Sequence, residues 1–130
     1  MDMNRTWNAK NPFQGKFKRV LCICSAGLLR SPTVAWVLSN EPYNFNTRAV
    51  GIDEGIALIK LDDTLLEWAD EILCMDEYQT LKVKERTKKP VFNLRIGDNF
   101  EYRDKGLIHI IKLRYEELIQ GEDNGNRQVQ

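Results

Sequence analysis

Cys24-Ser25-Ala26-Gly27-Leu28-Leu29-Arg30-Ser31 places a cysteine, five intervening residues, an arginine and a serine in one short run. A thiolate is a strong nucleophile. An arginine guanidinium grips two oxygens of a phosphate through a planar fork. Five residues between them let the backbone curl so that successive N–H groups point inward and form a nest for an anion. Gly27 takes positive φ at little cost and Ala26 leaves room for the curl. The positive field of such a nest favours the thiolate, and Ser31 is placed to donate a hydrogen bond to it and steady it as a leaving group. The chemistry suggested is attack of Cys24 on a phosphorus atom, with Ser25, Ala26, Gly27, Leu28, Leu29, Arg30 and Ser31 around the phosphate. The competing reading is a buried strand-end cysteine near an unrelated surface arginine.

The flanking elements argue for the site. Val20-Leu21-Cys22-Ile23 is a continuous apolar run, as in a strand buried on both faces. Ser31-Pro32 follows as N-cap and first residue of a helix reaching Ser39. Phe45–Gly51, Ile72–Met75 and Pro90–Leu94 are further strands. Helices are expected at Leu61, Leu65 and Trp68, behind Asp62 and Asp63, and over Glu77–Lys84. Asp104 caps a last helix through Ile119, with Leu107, Ile108, Ile111, Tyr115, Leu118 and Ile119 on its apolar face. Strands alternating with helices predict an α/β fold: right-handed crossovers and a parallel sheet covered by helices on both faces. Ligands bind such sheets beyond the carboxyl ends of the strands, where Cys24 and Asp98 fall. Residues 1–16 read as a flexible arm, 17–120 as one domain and 121–130 as a frayed tail.

Composition narrows the partners. Formal net charge is zero, so no global basic field would hold nucleic acid or an anionic membrane. The polar start, Met1-Asp2-Met3-Asn4-Arg5, and the lack of a long apolar span point away from secretion and membrane insertion. Three cysteines, an odd number, then suit the reducing cytoplasm. Zinc is poorly supported: His109 is the single histidine, and Cys22-Ile23-Cys24 lacks the gap of a zinc pair. No cofactor or metal is expected.

With these residues in view, the chain resembles the low-molecular-weight protein tyrosine phosphatase superfamily, most of all a compact branch in bacteria and phages. The similarity runs from about Lys18 to Leu118. It is carried by Val20–Pro32, Thr47-Arg48-Ala49-Val50-Gly51, Trp68-Ala69-Asp70-Glu71-Ile72-Leu73-Cys74-Met75-Asp76 and Asp98-Asn99-Phe100-Glu101-Tyr102-Arg103-Asp104. The resemblance implies a three-layer fold whose four-stranded parallel sheet has the order 2-1-3-4. It implies Cys24 as nucleophile, Arg30 as phosphate clamp, Ser31 as thiolate stabiliser and Asp98 as general acid. Three positions depart from the family pattern. Gly27 stands where an asparagine braces the loop, Leu29 where many members carry a second cysteine, and Asn99 where the larger family has proline.

Other candidates carry bland readings beside the functional ones. From sequence alone Asp98 is a turn aspartate in Gly97-Asp98-Asn99; the strand end before it and the resemblance reverse that. Asp63 and Asp76 read as a helix-start acid and a strand-end cap. Phe100 and Tyr102 form either a wall for an aromatic leaving group or loop packing. His109 falls off the apolar stripe, Cys22 and Cys74 read as core residues, and Trp36 suggests a partner surface. The expected function is metal-free, cysteine-dependent hydrolysis of a phosphomonoester on a phosphorylated protein or small molecule. Its rivals are a thiol reductase of the arsenate-reductase type and a catalytically weak phosphate- or nucleotide-binding module.

Overall fold

The structure, a computed structural model, describes residues 17–25, 30–53, 55, 59–97 and 104–129, with 122–129 described by their backbone alone. The apolar run after Lys18 forms strand β1 (Arg19–Cys24), in which every residue from Val20 onward is buried. It leads to helix α1 (Arg30–Ser39), then β2 (Asn46–Gly51), α2 (Asp63–Trp68), β3 (Glu71–Cys74), α3 (Glu77–Lys84), β4 (Val91–Asn93) and α4 (Lys105–Val129). The four strands make one sheet of order β2-β1-β3-β4, parallel at every pairing. Pro90 precedes β4 and gives its carbonyl to the N–H of Ile72, so it joins the ladder as an acceptor alone.

Alternation along β1 divides the core between two faces. Val20, Cys22 and Cys24 pack with Val34, Leu38, Leu107, Ile111 and Tyr115 from α1 and α4. Leu21 and Ile23 point the other way, toward Leu65, Leu66 and Val83 from α2 and α3. This is the three-layer arrangement expected of a parallel sheet that must bury both faces. Trp36 does not stand out as a partner surface: it is half-buried and packs on the α1–α4 side of the core. His109 is exposed, as its place off the apolar stripe predicts.

Capping follows the sequence at three helices. Asp62, Asp76 and Asp104 accept from the N–H groups of Leu65, Gln79 and Leu107 at 2.8, 2.9 and 3.3 Å. Several boundaries differ from expectation. β2 starts at Asn46 and not Phe45, Leu61 lies ahead of α2, β3 is Glu71–Cys74 and not Ile72–Met75, and β4 is Val91–Asn93 and not Pro90–Leu94. Two helix ends differ more. The first helix begins at Arg30, so Ser31 is a first-turn residue and not its cap. The last helix runs on to Val129 where Ile119 was the expected end. No proline interrupts residues 105–129, and extending a helix adds one backbone bond for each residue ordered, which offsets the cost of Gly121 and Gly125.

Candidate active site

Cys24 ends β1 and Arg30 opens α1, so the two residues flank a strand-to-helix connection at the carboxyl end of the sheet. Both are nearly buried, at 3% and 8% exposure. The Cys24 Sγ lies 3.1 Å from the Ser31 Oγ. The same hydroxyl is 3.4 Å from the Val50 carbonyl on β2, an acceptor that holds the serine side chain beside the thiol. A serine placed to cap its helix would turn toward its own turn; here burial and the neighbouring strand turn it to Cys24.

Arg30 is seated from below. Its Nη1 donates to the Ile96 carbonyl at 2.7 Å, and its Nη2 lies 3.8 Å from Asp76 Oδ2. Ile96 itself is fixed by its N–H to the Met75 carbonyl at 2.9 Å. A buried guanidinium needs such partners, because desolvated charge left unpaired is costly. Ser25, next to the cysteine, gives its carbonyl to the N–H of Asp53 at 2.8 Å and its hydroxyl accepts from Gln79 Nε2 at 3.2 Å.

The structure therefore brings together Cys24, Ser25, Arg30 and Ser31 among the residues singled out by sequence. Ala26, Gly27, Leu28, Leu29, Asp98, Phe100 and Tyr102 lie outside the described residues, as do residues 1–16. Asp63 belongs elsewhere: it opens α2 and pairs with Arg86 at 3.0 Å. Asp76, read from sequence as a strand-end cap, caps α3 and also faces Arg30. Sequence reasoning missed Gln79 and the carbonyls of Val50 and Ile96. Gln79 had a signal, since Asp76-x-x-Gln79 has the spacing of a capping box. The carbonyls had none.

The two other thiols are unlike Cys24 in setting. Cys22 and Cys74 are fully buried. Burial, reinforced by the Glu71 carboxylate, pushes the Cys22 thiol well up, and burial pushes Cys74 up to about 12. None of the three cysteines is joined in a disulfide. Among the described residues no three of His, Cys, Asp and Glu gather to hold a metal ion, and no helix is long and apolar enough to cross a membrane.

A four-stranded parallel sheet of order 2-1-3-4 with helices on both faces is an α/β fold also found in solved phosphatase structures. Solved structures with this arrangement include the YwlE arginine phosphatase from Geobacillus stearothermophilus. It is similar at a TM-score of 0.59 and 22% identity, over 83% of this chain and 96% of that one. A YwlE mutant from Bacillus subtilis is similar at a TM-score of 0.50 and 21% identity, over 78% of this chain and 90% of that one. No family model and no curated protein matches the sequence.

Proposed function

We propose that the chain is a cysteine-dependent phosphatase that works through a phosphocysteine intermediate. The observation that carries this reading is the Cys24 Sγ held 3.1 Å from Ser31 Oγ, at the carboxyl end of a central strand, with a nearly buried arginine opening the next helix. The Cys24 thiolate attacks phosphorus in line with the ester oxygen. The P–O bond breaks as Asp98 gives its proton to the leaving oxygen, and a P–S bond forms. Asp98, now a carboxylate, takes a proton from water as the water attacks phosphorus. The P–S bond breaks, phosphate leaves, and Ser31 steadies the returning thiolate. Arg30 and the backbone N–H groups of residues 25–30 stabilise charge on the equatorial oxygens, so the chemistry calls for no metal.

Aryl phosphate hydrolysis in the presence of EDTA tests the reading. Turnover is expected in the wild type. Cys24→Ser should abolish it while leaving vanadate binding intact, because a serine hydroxyl without a base is a poor nucleophile. Asp98→Asn should cost roughly 10²–10⁴-fold on phenyl phosphate and far less on a substrate whose leaving group departs as a stable anion. Cys24→Ser with a near wild-type rate would overturn the assignment, and wild-type binding without turnover would leave a phosphate-binding module. The similar protein from Geobacillus stearothermophilus is an arginine phosphatase, so a phosphoarginine substrate belongs beside the aryl ester in the assay. A thiol reductase would need a resolving cysteine. Leu29 occupies the nearest position, and the burial of Cys22 and Cys74 keeps both as unreactive thiols in the core.

A further inference from the structure

The first turn of α3 reaches both described ends of the cysteine-to-arginine connection. Gln79 is completely buried there. Its Oε1 accepts from the Met75 N–H at 2.8 Å, and its Nε2 donates to the Ser25 Oγ at 3.2 Å. Its own N–H donates at 2.9 Å to Asp76 Oδ1, and the second oxygen of that carboxylate lies 3.8 Å from Arg30 Nη2. A primary amide is expensive to bury unless both of its ends are satisfied. Here one end is tied to the backbone just past β3 and the other to the side chain that follows Cys24.

We infer that Gln79 is a positioning residue for the phosphate loop, holding the Cys24–Ser25 end from outside while its cap Asp76 faces the arginine end. This rests on the phosphatase reading above. The chemistry at position 79 is specific. The Met75 N–H requires an acceptor and the Ser25 oxygen is offered a donor, and the amide carries one of each on separate atoms of a single side chain. A hydroxyl that accepts from Gln79 keeps its own proton to donate elsewhere. Gly27 contributes no side chain of its own, so a brace must come from another element. Fixing the loop before substrate arrives is what makes an anion nest effective, since its dipoles then need no reorganisation during the reaction.

The test compares the wild type with Gln79→Met, Gln79→Glu, Ser25→Ala and the Ser25→Ala/Gln79→Met double variant. Three quantities are measured beside melting temperature: kcat/KM on an aryl phosphate, inhibition by inorganic phosphate, and the ratio of Cys24 alkylation by anionic iodoacetate to that by neutral iodoacetamide. The last reads the anion nest without turnover. Gln79→Met and Ser25→Ala are each expected to lower kcat/KM about tenfold, the size of one lost buried hydrogen bond, and to weaken phosphate and lower the ratio. The double variant should be no worse than the worse single one, because both remove the same contact. Gln79→Glu keeps the acceptor for Met75 and loses the donor. It buries a carboxylate and should lose stability. Ser25→Ala leaves the Gln79–Met75 bond in place and removes only the brace contact, so it decides the matter if neither Gln79 variant folds. Unchanged phosphate affinity in it would then overturn the brace. Unchanged phosphate affinity and alkylation ratio in folded Gln79 variants, or additive losses in the double variant, would overturn the brace. A wild type with neither turnover nor a preference for iodoacetate would instead overturn the phosphatase reading beneath it.

Discussion

Arg30 shows how much a side chain's surroundings decide its chemistry. One amino group of its guanidinium is spent on the Ile96 carbonyl, and the other faces the half-exposed Asp76 carboxylate. A planar fork can hold an anchor and a ligand at once; a lysine ammonium on a flexible stem cannot present the same pair of parallel donors. Arg30→Lys should therefore be nearly as damaging as Arg30→Ala. A Lys variant with wild-type vanadate affinity, measured by competitive inhibition, would remove Arg30 from the clamp role. At this scale residue type and spacing nominate Cys24, Arg30 and Ser31, which flank one connection in the structure. The sequence was silent on what each residue leans on. Ser31 has the composition of a cap, and only the nearness of β2 and Cys24 turns its hydroxyl inward.

Among the elements, α2 and α3 make a natural pair of controls. Each is short and each begins behind an aspartate that accepts from the N–H three residues on. Replacing either cap with alanine should cost about 1 kcal/mol, seen as a loss of a few degrees in melting temperature. Only the Asp76→Ala change should also lower kcat/KM, because only α3 carries Gln79 and faces Arg30. Equal activity in the two folded variants would show that α3 is no more than scaffold. Strand assignment was legible here because β1 and β3 are buried on both faces and so read as unbroken apolar runs. Gln79 was legible only as a capping-box residue, since the Ser25 end of its amide finds its partner only once β1 and β3 lie side by side. The extension of α4 to Val129 was likewise hidden, because local composition argued for fraying while the established helix favours propagation.

At the scale of the whole molecule, the candidate site and a partly buried ion pair lie at opposite ends of the sheet. Cys24 and Arg30 sit at the carboxyl ends of the strands. At the other end the buried Glu71 carboxylate accepts from the Tyr115 hydroxyl at 3.0 Å, and Lys18 Nζ lies 3.3 Å from it and 4.7 Å from the Phe45 ring centre. Within the core lie the Cys22 and Cys74 thiols, both raised chiefly by burial. A group whose pKa is higher in the fold than in the unfolded chain stabilises fully below the unfolded value and loses that contribution as pH climbs past it. Stability to urea should therefore hold through neutral pH and fall progressively above about 8.5, the ordinary range of a thiol. Below that pH a disulfide exchange reagent should label Cys24 in the folded protein and all three cysteines only after unfolding. Rapid labelling of Cys22 or Cys74 in the native state would contradict the burial argument.

The contact between Arg30 and Ile96 has a consequence for mutational scanning. The acceptor is a main-chain oxygen, so no side chain substituted at position 96 deletes it. A survey of single replacements should find position 96 tolerant of valine, leucine and methionine, and would score it as ordinary core. Proline is the exception. It removes the N–H that Ile96 gives to the Met75 carbonyl, and with it the bond that holds this stretch of backbone under the arginine. Ile96→Val is thus expected to keep catalytic rate and Ile96→Pro to lose it. Part of this site is written in the peptide chain itself, in a form that selection on side-chain identity leaves almost no trace of.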